Sequence, residues 1–118
     1  MTELQRAFFE DLAGIEDGAM GSVREVLASA EIPIWVESED AVMTLRAALT
    51  TPDQVDAMAA FVKERVHTAI DLVLVAIDGG LASADIGRVY LTDEHGRSLG
   101  DGLPQAYGEH LLDTGRMT

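Results

Sequence analysis

The chain has 118 residues, 47% of them apolar, and carries 21 acids against 8 bases for a net charge of −13. That length and apolar content fit a single globular domain, 1–118, with its own core, and exclude a disordered chain. The charge excludes nucleic acid and anionic membrane as favoured partners and points to a basic protein or a cation, and the lack of cysteine rules out disulfides and thiolate metal sites and suits a reducing, cytoplasmic setting.

The opening MTELQRAFFEDL has acids early and no basic-then-apolar leader pattern. Thr2 and Gln5 have capping-box spacing, and Leu4, Phe8 and Leu12 recur with helical period up to Gly14, which is placed to stop the helix. Of Phe8 and Phe9 one ring is expected in the core; an exposed Phe9 would mark an interface. A second helix is expected over about 17–30, burying Met20, Val23, Val26, Leu27 and Ala30, with Gly18 and Gly21 weakening its first turns.

The segment EIPIWVE, residues 31–37, alternates Ile32, Ile34 and Val36 and predicts a short strand, which Pro33 confines to an edge. Trp35, the only tryptophan, is expected to pack in the core; as an exposed residue it would be an interaction anchor. Ser38, Glu39 and Asp40 then open a helix carrying Val42, Leu45 and Leu49, in preference to a strand. Met20, Met43 and Met58 read as core filler.

Thr51, Pro52 and Gln54 form the clearest helix start, and nothing interrupts the pattern until Gly79-Gly80. A helix over about 52–78 spans ~40 Å, enough to organise the domain. Its most hydrophobic run, 69–77, contains Asp71 and falls far short of the ~20 residues of a membrane span. Further on, RVYLTDEHGRSLG predicts an antiparallel β-hairpin over about 87–100, with Val89 and Leu91 facing Leu99 and a turn at Asp93-Glu94-His95-Gly96. Pro104 opens a short C-terminal helix that carries Ala106, Tyr107, Leu111 and Leu112 and ends at Gly115. The expected fold is therefore α+β: a mainly helical body around one long central helix, with a small hairpin and a closing helix.

The chemistry-bearing residues concentrate on the long helix. At 100° per residue, Glu64, His67, Thr68, Asp71 and Asp78 share an arc of ~100°, while the apolar residues occupy the rest. The plain reading is a solvated polar strip on a helix buried on three sides, with Asp71 holding the imidazole of His67 four residues away. The alternative is a site. Glu64-x-x-His67 is a spacing by which helical bundles present two ligands to one ion, Asp71 would add a third, and His110 from the last helix a fourth, for a divalent transition metal. Asp78, in the last helical turn, opposes the helix dipole and needs a cation or an arginine, with Arg88, Arg97 and Arg116 downstream. No phosphate-cradling glycine loop or nucleophile elbow is present, so no catalytic residue is assigned and no cofactor is expected.

Three functions follow. The first is a non-enzymatic protein-interaction domain, inhibitor- or immunity-like in size and charge, engaging a basic partner through residues such as Glu64, His67, Asp71, Asp78 and Trp35. The second is a metal-binding protein or enzyme built on Glu64, His67, Asp71 and His110. The third is an oligomerising domain that pairs through the edge segment 32–36. A homodimer is compatible with each.

Overall fold

In the computed structural model, which describes residues 1–117, the chain is 66% helix. The order is α1 (Glu3–Ala28), α2 (Glu39–Ala48), α3 (Pro52–Ile77), a 3₁₀ turn (Ala82–Asp85) and α4 (Leu103–Asp113). No strand or sheet is present among the described residues, so the expected α+β class is corrected to all-helical.

Three sequence expectations fail for physical reasons. The hairpin over 87–100 is a turn without strands: its pairing is reduced to one bridge, Thr92 with Ser98. Leu91 packs against the core and Leu99 is buried, but Val89 and Tyr90 are both 58% exposed, so cover reaches only the residues beside the turn, and a two-stranded ribbon with so little cover is marginal in water. The turn itself is well formed. The Asp93 carboxylate accepts from the backbone N–H groups of His95 (2.8 Å) and Arg97 (2.9 Å), and Gly96 takes φ 76°. The segment 32–36 is also not a strand. Val36 N–H donates to the Pro33 carbonyl at 3.1 Å, closing a tight turn that throws Ile34 and Trp35 outward. Finally, α1 is one helix where two were expected, running through Gly14, Gly18 and Gly21. None of these has the positive φ of a terminating glycine, and a helix absorbs each at ~1 kcal/mol.

The helix termini follow the local sequence closely. Thr2 and Gln5 exchange bonds, Thr2 N–H to Oε1 at 2.7 Å and Gln5 N–H to Oγ1 at 3.1 Å. Thr51 and Gln54 do the same at 3.1 and 3.2 Å. At the other end of α3, Gly80 N–H reaches the Val75 carbonyl (2.9 Å) and Gly79 N–H the Ala76 carbonyl (3.2 Å), with Gly79 at φ 81°. This Schellman arrangement satisfies carbonyls that would otherwise be orphaned. The same pattern ends α4, where Gly115 has φ 74° and Arg116 N–H donates to the Leu111 carbonyl at 2.8 Å.

The chain divides into two compact units, one made of Met1–Ala13 and the residues from His67 onward, the other of Gly14–Val66. The first unit has a true core of Phe9, Ala13, Leu74, Leu103, Tyr107 and Leu111, flanked by Phe8, Leu12, Ile70, Ile77, Leu91 and Ala106. Four-residue spacing explains it: Phe9 with Ala13, Ile70 with Leu74, and Leu103, Tyr107 and Leu111 each line one helix face. Phe9, not Phe8, is the fully buried ring, 5.5 Å from Tyr107 between centroids. Each large side chain in this set contributes ~1.5–3 kcal/mol through burial.

The second unit is held differently. Only Val42, Ala59 and the carboxylate-bearing Glu16 are buried, and Met20, Val23, Leu27, Val55, Met58 and Val62 are half-buried. Met43 is 57% exposed rather than core filler. Polar contacts supplement this packing. The Arg46 guanidinium donates to the Val26 carbonyl at 2.6 and 3.1 Å, and also to Ser29 Oγ and the Glu31 carbonyl at 3.3 Å, closing the C-terminal end of α1. Arg24 pairs with Asp56 at 2.9 Å and Lys63 with Asp17 at 2.8 Å. Exposed pairs of this kind contribute at most ~1 kcal/mol each.

Candidate functional site

Residues of the polar strip expected on α3 meet neighbours within the chain. The exposed Glu64 carboxylate meets the neighbouring Arg65 at 2.9 Å. His67 is half-buried and stacks on Tyr107, with ring centroids 6.1 Å apart and planes at 28°. His110 is only 5% exposed and points its Nε2 at Glu10 Oε1, 2.6 Å away. Among the described residues no group of three or more His, Asp or Glu side chains is placed to hold a metal ion, so Glu64, His67, Asp71 and His110 are not gathered as a ligand set.

Asp78 is explained by its neighbours. Its carboxylate accepts from the backbone N–H of Gly102 at 2.8 Å, at the start of α4, and lies 3.6 Å from Arg88. Arg88 bridges onward to Asp101 at 2.9 Å and rests its guanidinium over the Tyr90 ring at 4.8 Å. The acid thus ties the end of α3 to the start of α4, and an N-terminal helix dipole and an arginine offset its cost at the end of α3.

A second polar cluster was not visible in the sequence. Glu10 on α1 accepts from His110 and from Arg116, whose Nη1 and Nη2 lie 3.0 and 3.2 Å from its two oxygens. The Arg116 bonds, and next the His110 bond, hold the Glu10 carboxyl below its ordinary pKa of 4.5. Nothing in the local pattern pairs positions a hundred residues apart; Gly115, which turns the chain so that Arg116 follows the helix end, was the only hint.

Trp35 is 55% exposed and Ile34 fully exposed, which corrects the expected core packing. The exposed carboxyl-bearing residues Glu31, Glu37, Glu39 and Asp40 flank them in sequence. In the same unit, an open hollow of about 340 Å³ is lined by Leu27, Leu49, Pro52 and Val55, and its charged lining residues Arg24 and Asp56 are paired with each other.

The burial of α3 reverses the expected one. Leu74, close in angle to His67, is 2% exposed, while Leu72 and Val73 are 50% and 59% exposed and Phe61 is 59% exposed. The wet side of this helix is therefore largely apolar, and His67 and Asp78 flank its packed side. By length and composition the stretch Pro52–Asp85 is apolar enough to cross a membrane, with mean hydropathy 1.4 over its best window. The chain matches no family model, and no curated protein and no solved structure is significantly similar to it.

Proposed function

We propose that this chain is a non-enzymatic protein-interaction domain that engages a basic partner, with Ile34 and Trp35 as the apolar anchor. The observation that carries the reading is the exposure of these two side chains, 103% and 55%, in a turn flanked by acids. An exposed Ile-Trp pair is costly to leave in water, and Trp at the centre of an interface is a frequent hot spot. Acids around it supply steering and specificity toward a partner with a basic rim. The net charge of −13 acts in the same direction over longer range. A cytoplasmic setting fits a chain without cysteine.

Trp35 is the only tryptophan, so fluorescence excited at wavelengths where tyrosine does not absorb reports on this turn alone. Titration with a Trp-free amphipathic peptide of Lys and Leu is expected to shift the emission to shorter wavelength, and raising salt to ~0.5 M to abolish the shift. Ile34→Ala should weaken the response. An equal shift with the matching Glu/Leu peptide, or a shift that salt leaves intact, would defeat the proposal.

A further inference from the structure

Resting on the Ile34-Trp35 anchor proposed above, we infer that the group a basic partner places there is the guanidinium of an arginine, stacked on the indole of Trp35 and paired with a neighbouring carboxylate. Among the described residues three aromatic side chains are more than half exposed: Trp35 at 55%, Phe61 at 59% and Tyr90 at 58%. Two of them share one arrangement. The Arg65 guanidinium lies over the Phe61 ring, 5.8 Å from its centroid, and pairs with the Glu64 carboxylate at 2.9 Å. The Arg88 guanidinium lies over the Tyr90 ring at 4.8 Å and pairs with the Asp101 carboxylate at 2.9 Å.

Trp35 has the ring and the carboxylates without the guanidinium. No cation lies over the indole among the described residues. Glu31, Glu37, Glu39 and Asp40 flank it in sequence, and among the described residues none of them forms an ion pair. The bases of the same unit are engaged elsewhere: Arg24 with Asp56, Lys63 with Asp17, Arg65 with Glu64, and Arg46 with the carbonyls of Val26 and Glu31. A partner therefore supplies the missing member.

Arginine suits the place better than lysine. Indole has the strongest cation-attracting face of the aromatic side chains. A guanidinium is planar and weakly hydrated, so it stacks on a ring while its in-plane N–H groups still donate to a carboxylate. A lysine ammonium is a compact, strongly hydrated charge with no face to stack. The turn is also held before a partner arrives. Val36 N–H closes it on the Pro33 carbonyl at 3.1 Å, and Arg46 fixes the Glu31 carbonyl at 3.3 Å, which limits the ordering cost of binding.

Three fluorescein-labelled, Trp-free peptides with one leucine pattern test the assignment, bearing arginine, lysine or citrulline at the polar positions. Citrulline keeps the planar shape and drops the charge. Fluorescence anisotropy reads their binding to the full chain. The arginine peptide should bind about 10-fold more tightly than the lysine peptide, and the citrulline peptide should not bind measurably. Trp35→Leu keeps an apolar side chain at an exposed position, so the helical circular dichroism should be unchanged. In this variant the arginine peptide should fall to the affinity of the lysine peptide. Equal binding of the arginine and lysine peptides to the wild type overturns the arginine assignment and leaves a basic partner standing. A preference for arginine that survives Trp35→Leu also overturns it, because arginine is then recognised elsewhere on the acidic surface. Binding of neither cationic peptide overturns the assignment and the anchor together.

Discussion

His110 Nε2 and Glu10 Oε1 lie 2.6 Å apart, joining α4 to α1 across a hundred residues of sequence. Arg116 completes the cluster by gripping both oxygens of the same carboxylate. A group whose folded pKa is depressed stabilises the fold above its unfolded pKa and loses that contribution as pH falls through the folded value. Glu10 is held below 4.5, so its contribution is complete at neutral pH and is lost below that value. Glu10→Gln should therefore destabilise the chain at pH 7, and the gap to the wild type should narrow as pH drops below 4.5. Urea melts of both proteins at stepped pH check this; a gap that stays constant to pH ~3 would mean that the ionised carboxylate contributes nothing.

Asp78 performs two tasks that substitutions can separate. Asp78→Ala removes the acceptor of the Gly102 N–H and the partner of Arg88. The expected loss is about 1.5–3 kcal/mol, typical of a hydrogen bond to a charged group. Asp78→Asn keeps an acceptor for the backbone and loses only the charge, so it should cost less than half as much. Equal losses in chemical denaturation would assign the whole effect to the ion pair.

Local signals carried the helix ends and did not carry the layers. Thr51, Gln54 and Gly79 specify the limits of α3 through contacts made within a few residues, and the structure realises those contacts. The alternation in 32–36 and 87–100 is equally local, yet a strand needs a neighbour and a covering layer along its length: 32–36 closes into a turn, and in 87–100 pairing and cover reach only the residues beside the turn. Gly14 looked like a stop because glycine often ends helices; the residues after it continue the helix with their φ negative. On α3 the apolar residues are so numerous that the period alone could not say which side is packed. Leu74 and Val73 are adjacent in sequence and opposite in fate. Helical spacing also could not show that Glu64 meets Arg65 or that His67 stacks on Tyr107.

The guanidinium of Arg46 stands in for the capping residue that the end of α1 lacks. It reaches the Val26 and Glu31 carbonyls and Ser29 Oγ, a planar fork that a lysine cannot reproduce. Arg46→Ala should cost about 1.5–3 kcal/mol, and Arg46→Lys should recover less than half of it. Thermal denaturation of the three proteins decides the matter. Full rescue by lysine would show that a charge near the helix terminus suffices and that the hydrogen-bond geometry is incidental.

Glycines of α1 and of the α3 terminus should respond to alanine with opposite signs. A Cβ at Gly14, Gly18 or Gly21 meets nothing within 4 Å, and none of the three has a positive φ. Each Gly→Ala change there should stabilise the chain by up to ~1 kcal/mol, through better helix propensity and a less flexible unfolded state. Gly79 has φ 81°, where a side chain is strained, and a Cβ on Gly80 would lie 2.6 Å from Val75 Cγ1 and 3.3 Å from its carbonyl oxygen. Alanine at Gly79 should cost ~1–2 kcal/mol, and at Gly80 it should force the end of α3 to shift. Melting temperatures of the single variants rank the sites directly. A loss of stability at Gly14, Gly18 and Gly21 would mean that α1 is packed against something along that side, and the open surface assigned to those three glycines would have to be withdrawn.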